Sequence, residues 1–206
     1  MSKGLNVYPL TRYAQMVSED ALKGILNSFS CPLNAEVEGF LKGKALQSSR
    51  LGVSQTYLVF DDATDDLLGY YTLVLKSYCV KGARLNSANR RLISRFAEED
   101  ANGNLNAAVY LIAQVGKNYA VDPVSRIAGS ELLAMALDEF RVIKGRVGGK
   151  LVMVERESDR PKLFDFYNRN GFKSWTNRTN DKDGMVYDQM FAVLNDKQPP
   201  TGGPGS

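Results

Sequence analysis

The sequence predicts an α/β protein, a mixed β-sheet with helices on both faces. Three observations carry that. Amphipathic helical segments come first, then a β-β pair, then an alternation of strand and helix that ends in two strands. A compact apolar run, AAVYLIAQVG (107–116), leads into YAVDPVSRIAGSELLAMALDEF (119–140), which opens on turn residues and closes as a helix. The chain has 206 residues, 44% of them apolar and 24% charged, enough to bury a core as one domain. We expect that domain over residues 1–195, followed by a disordered Pro/Gly-rich tail over 196–206.

The elements follow in order. TRYAQMVSEDALKGILNSF (11–29) is broadly amphipathic. NAEVEGFLKGKALQSSRLG (34–52) puts Val37, Phe40, Leu41 and Ala45 on one face and ends at Gly52. QTYLVFDDATDDLLGYYTLVLKSYCV (55–80) reads as a hairpin around its acidic turn. That turn lacks the ligand spacing and the closing Glu of a calcium loop. NSANRRLISRF (86–96) is a weaker helix, and EEDANGNLN (98–106) is a loop before the strand at 107–116. In the next helix Leu132, Leu133, Ala136, Leu137 and Phe140 form one apolar stripe. A buried strand lies in KLVMVERE (150–157). A short helix follows over 160–170, with Pro161 in its first turn and Gly171 just past its end. FKSWT (172–176) and GMVYDQMFAVL (184–194) form the final antiparallel pair.

Composition narrows the chemistry. The chain has no histidine, which removes imidazole bases, His-ligated zinc and Ser-His or Cys-His mechanisms. Acid–base work falls to carboxylates, Tyr, Lys, Cys or water. Cys31 and Cys79 stand in no metal-ligand spacing, so they read as buried apolar residues in a reduced compartment. No apolar run reaches membrane-span length, and the N-terminus has no signal-peptide core, so a cytoplasmic protein is expected. A net charge of +3 is too small to argue for nucleic acid by itself.

Two constellations stand out. The helix start at Ala128, Gly129 and Ser130 has a bare backbone, and its unpaired N–H groups and partial positive charge suit an anion. Arg126 adds a charged donor from the side. Gly116 marks a place where a strand bulges or is closely approached. An ordinary strand-to-helix junction explains the same residues. In FYNRNGF (166–172), Tyr167 reads either as core or as a proton donor to a thiolate, since its pKa of about 10 lies above a thiol's. Glu155, after the strand, reads either as a carboxylate that takes an amine's proton or as a strand residue leaving the core. Arg156 and Arg160 read as salt-bridged surface. Arg84, Arg90, Arg91 and Arg95 form a basic stretch. It is followed at once by Glu98, Glu99 and Asp100, which oppose a polyanion.

Together these motifs resemble the GNAT superfamily of acyl-coenzyme A N-acetyltransferases, from about residue 107 to 194. The front half, from 38 to 78, is similar to GNAT proteins of bacteria and phages, some of them toxins that acetylate aminoacyl-tRNA. The resemblance implies a mixed sheet of about six to seven strands. It implies acetyl-coenzyme A as co-substrate and no metal. Its pantetheine would pair with the strand at Ala113, Gln114, Val115 and Gly116, and its pyrophosphate would lie on Arg126, Ile127, Ala128, Gly129 and Ser130. Tyr167 falls on the family tyrosine. At two places of the family's phosphate-loop motif this chain has Val124 and Ile127. The implied acceptor is a small-molecule or protein amine, in a monomer or homodimer. The alternatives are a toxin acting on aminoacyl-tRNA and silenced by a small DNA-binding antitoxin, or a degenerate coenzyme A-binding domain.

Overall fold

The computed structural model describes residues 4–82, 85–121, 127–181 and 184–195. Arg84, Val124, Arg126 and the tail at 196–206 lie outside them. The chain runs β1 (Leu5–Pro9), α1 (Leu10–Met16), α2 (Glu19–Ser28), α3 (Ala35–Gly43), α4 (Ala45–Arg50), β2 (Gln55–Asp61) and β3 (Leu67–Lys81). It continues with α5 (Ser87–Ile93), β4 (Glu98–Glu99), β5 (Asn104–Lys117) and α6 (Gly129–Val147). Last come β6 (Leu151–Glu157), α7 (Pro161–Arg169), β7 (Lys173–Thr179) and β8 (Val186–Val193).

Side chains set the breaks. The expected helix over 11–29 is two helices, because Ser18 caps α2 by accepting from the Ala21 amide at 3.2 Å. Asn34 caps α3 in the same way, accepting from Glu36 and Val37. The helix expected to run on to Gly52 breaks at Lys44 into α3 and α4. β1 was not anticipated as a strand. It pairs antiparallel with β2.

Among the described residues the strands form one sheet, in the order β1-β2-β3-β5-β6-β8-β7, with β4 on the side of β5. Only β5 and β6 run parallel. α6 and α7 cover one face, where Leu132, Ala136 and Phe140 pack on Tyr110, Val152 and Val154. The opposite face carries α1 to α4 over β2 and β3, and α5 over the far ends of β3 and β5. Strand alternation assigns each β6 side chain to a face: Leu151 and Met153 to the α5 side, Val152 and Val154 to the α6 side. No helix among the described residues is long and apolar enough to cross a membrane.

Gly116 has a packing reason. A Cβ there would lie 2.6 Å from Tyr70 Cε1 and Val37 Cγ1, and 2.9 Å from Phe29 Cζ. The glycine lets α3 and two aromatic rings close directly on β5, and the Tyr70 hydroxyl donates to the Val37 carbonyl at 2.6 Å. Gly116→Ala is expected to cost about 1–3 kcal/mol as overpacking. A urea midpoint equal to that of the unsubstituted protein, at equal slope, would contradict this.

Candidate active site

The parallel pairing of β5 and β6 is short. It runs from Val109 with Leu151 to Ile112 with Val154 and then stops. Beyond it β6 stays with β8, and β5 stays with β3 as far as Lys117 and Gly69. The two strands therefore diverge. The cause is one extra residue: Leu73 pairs with Ile112 but Thr72 pairs with Gln114, so Ala113 is bulged. A bulge bends its strand and raises its twist. On the side of β6, the backbone of Gln114, Val115 and Gly116 faces no partner strand among the described residues. An extended, amide-bearing ligand fits such an edge. The bulge expected near Gly116 thus lies three residues earlier.

The start of α6 stands beside this opening. Ile127 is buried in the central core, so its side chain anchors the loop. Ala128 and Ser130 are exposed. The Ala128 amide donates to Glu131 Oε2 at 2.6 Å. The amides of Gly129 and Ser130 have no acceptor among the described residues. They are the first N–H groups of a 19-residue helix and carry its positive dipole end. These donors suit a phosphate oxygen. A Cβ on Gly129 would lie 3.7 Å from the Phe166 ring, an ordinary contact. Phe166 thus lies over the helix start and brings the two sequence constellations together.

Tyr167 follows on α7. Its ring meets Phe166 and Phe172 edge-on, with centroids 5.1 and 5.7 Å away. Its hydroxyl has no hydrogen-bond partner among the described residues. Burial pushes its pKa up to about 12. The phenol therefore holds its proton throughout the physiological range.

Glu155 lies elsewhere. It alternates with Met153, so it occupies the α5 face, across the sheet from Tyr167. Arg178 Nε and Nη2 reach its two oxygens at 3.0 and 2.9 Å, and Gln189 Nε2 donates at 2.6 Å. Gln189 in turn accepts from the Tyr78 hydroxyl. Burial pushes the Glu155 carboxyl up, but the Arg178 fork and the Gln189 amide outweigh it, so the pKa is lowered. Sequence reasoning missed Tyr78, Arg178 and Gln189. Only the i, i+2 alternation of β6 hinted that Glu155 would face away from α6.

The basic stretch is partly neutralised. Arg90 pairs with Glu99, and Arg95 lies over the Phe96 ring at 5.6 Å. Asp100 is occupied by its own turn, accepting from the amides of Asn102 and Asn104 at 2.9 Å. Arg91 and Arg95 remain exposed.

No protein-family model and no curated protein matches the chain. Solved structures do. A bacterial toxin superposes with a TM-score of 0.63 at 18% identity, covering 93% of this chain and 92% of its own. The fold is the GNAT fold. AtaT complexed with acetyl-methionyl-tRNAfMet matches at TM-score 0.61 and 18% identity, over 89% of this chain and 94% of that one. A tyrosine-to-phenylalanine variant of KacT matches at TM-score 0.61 and 19% identity, over 92% and 95%. The front helices α1 to α4 therefore belong to the matched GNAT fold as much as the strands around the opening do.

Proposed function

We propose that the protein is an acetyl-coenzyme A-dependent N-acetyltransferase acting by direct attack of an amine. The single observation that carries this is the divergence of β5 and β6 beside a bare helix start, with a protonated phenol on the next helix that has no hydrogen-bond partner among the described residues. Acetyl-coenzyme A supplies a thioester activated towards amines. Gly129 and Ser130 would bind its pyrophosphate through their amides, and the edge of Gln114 to Gly116 would hold its pantetheine. A strand amide near Val115 would polarise the thioester carbonyl. The acceptor's N–C bond forms as the C–S bond breaks, and Tyr167 gives its proton to the departing sulfur. Water takes one proton from the acceptor's ammonium before the neutral amine attacks, and the proton that the nitrogen sheds on becoming an amide restores the Tyr167 phenol through water. Glu155, held by Arg178 and Gln189 on the other face of the sheet, is given no part in this reading. The test is calorimetric titration with acetyl-coenzyme A together with release of free thiol. Binding without turnover on any amine would favour the degenerate, coenzyme A-binding alternative.

A second reading narrows the acceptor to aminoacyl-tRNA. Arg91 and Arg95, both exposed, supply the cations that would meet its phosphates. The likeness to AtaT, solved with an acetylated aminoacyl-tRNA, supports it as well. A small DNA-binding antitoxin is the partner that this reading brings. Reversing Arg91→Glu and Arg95→Glu is then expected to raise the acceptor KM and to lower its log–log salt slope by roughly 0.7–0.9 per lost phosphate contact. Coenzyme A affinity should not move. A double variant equal to the unsubstituted protein at every salt concentration would point to a small amine instead.

A further inference from the structure

Arg156 was expected at the surface, yet only 7% of it is exposed. Its guanidinium grips the turn between β6 and α7. Nη1 donates to the carbonyls of Glu157, Ser158 and Arg160 at 3.0, 3.4 and 3.1 Å. Nη2 donates to Asp188 on β8, whose other oxygen accepts from the Ser158 hydroxyl at 2.8 Å. The guanidinium plane lies over the Phe164 ring, 5.0 Å from its centroid. The Arg160 carbonyl also accepts from the amides of Leu163 and Phe164, so Arg156 holds the same oxygen that starts α7.

The helix is otherwise seated by Phe164, Phe166 and Tyr167, partly buried side chains that pack against the central core. Its N-cap, Arg160, makes no side-chain cap, and none of its residues is fully buried. Phe164 and Tyr167 are one turn apart on one face, so whatever seats Phe164 also sets the angle at which Tyr167 approaches the opening. A lysine would keep the charge but lose the planar fork and the stacking.

We propose that Arg156 is a positioning residue that acts through Tyr167, an inference that rests on the acetyltransferase reading above. Arg156 touches no reacting atom. A misplacement of about 1 Å in a catalytic group is enough to cost about a hundredfold in rate.

The test is a double-mutant cycle on kcat with Arg156→Lys and Tyr167→Phe in the full chain. Arg156→Met is the poorer choice, because it leaves Asp188 without its cation. Arg156→Lys is expected to lower kcat about tenfold to a hundredfold with the KM for acetyl-coenzyme A unchanged. In the Tyr167→Phe background the same change should have no further effect. Equal fold-losses in both backgrounds would overturn the proposal, since a merely structural role is additive, and would leave the acetyltransferase reading intact. A silent Arg156→Lys would overturn it as well. A silent Tyr167→Phe would instead remove the acid assignment, and the proposal with it. Should Arg156→Lys fail to fold, Phe164→Leu, which removes the ring beneath the guanidinium, enters the same cycle with the same two outcomes.

Discussion

Replacing Tyr167 with Phe should lower kcat by about 10²–10⁴-fold and leave the affinity for acetyl-coenzyme A where it is. The ring keeps its edge-on contacts with Phe166 and Phe172, so the packing survives. No protein acceptor among the described residues loses a donor. What goes is the proton that the proposed mechanism gives to the departing sulfur. Because burial pushes the phenol up to about 12, it is fully protonated at neutral and mildly alkaline pH. The fold-loss should therefore be flat across that range and should shrink only as pH approaches 12 and the native tyrosine ionises. A pH series of single-turnover rates checks both the size and the flatness. An unchanged rate in a chemistry-limited assay would show that the leaving group takes its proton elsewhere.

Gly129→Glu should abolish coenzyme A binding in a protein that still folds. The glycine has space for a Cβ, whose closest neighbour is the Phe166 ring at 3.7 Å, and it lies in a regular first turn. A carboxylate there is favoured by the helix dipole, so the fold tolerates it. It would occupy the amides of Gly129 and Ser130 and repel a pyrophosphate. Glu131 already takes the Ala128 amide, which leaves the anion no free donor in that turn. Calorimetry with coenzyme A, beside circular dichroism, reads the two halves of the expectation. Acetyl-pantetheine, which has no pyrophosphate, should bind the variant and the native protein equally. Equal affinity of both proteins for coenzyme A would move the phosphate site away from α6.

Much of this fold was legible in the residues, and the reasons are local. The stripe of Leu132, Leu133, Ala136 and Phe140 could only be a helix on a sheet, and the order of helices and strands fixed a mixed sheet. Asn170 and Gly171 ended α7 where expected. The parts that were not legible depend on partners far along the chain. Gly116 suggested a bulge or a ligand, but its missing Cβ makes room for Tyr70, Val37 and Phe29. The bulge itself falls on Ala113, a residue with no turn chemistry, because it is a property of the β3–β5 register. Glu155, at the end of a strand, reads from sequence either as a carboxylate that takes an amine's proton or as a residue leaving the core. Its partners Arg178 and Gln189 come from β7 and β8, and no spacing reveals them. Arg156 looked like surface for the same reason: Asp188 lies 32 residues away. β1, a five-residue strand ending in Pro9, carries too short a pattern to read without β2 beside it.

In the proposed reaction the opening between β5 and β6 delivers an acetyl group to an amine. The direct measurement is mass spectrometry of cell extract incubated with purified protein and isotopically labelled acetyl-coenzyme A. The account expects the label in an amide on one class of acceptor, and its loss when Tyr167→Phe replaces the native protein. Label on the aminoacyl end of tRNA would select the second reading, and label on a small amine or a protein would select the first. Binding of acetyl-coenzyme A with no label transferred to RNA, protein or small amines would contradict the enzymatic account.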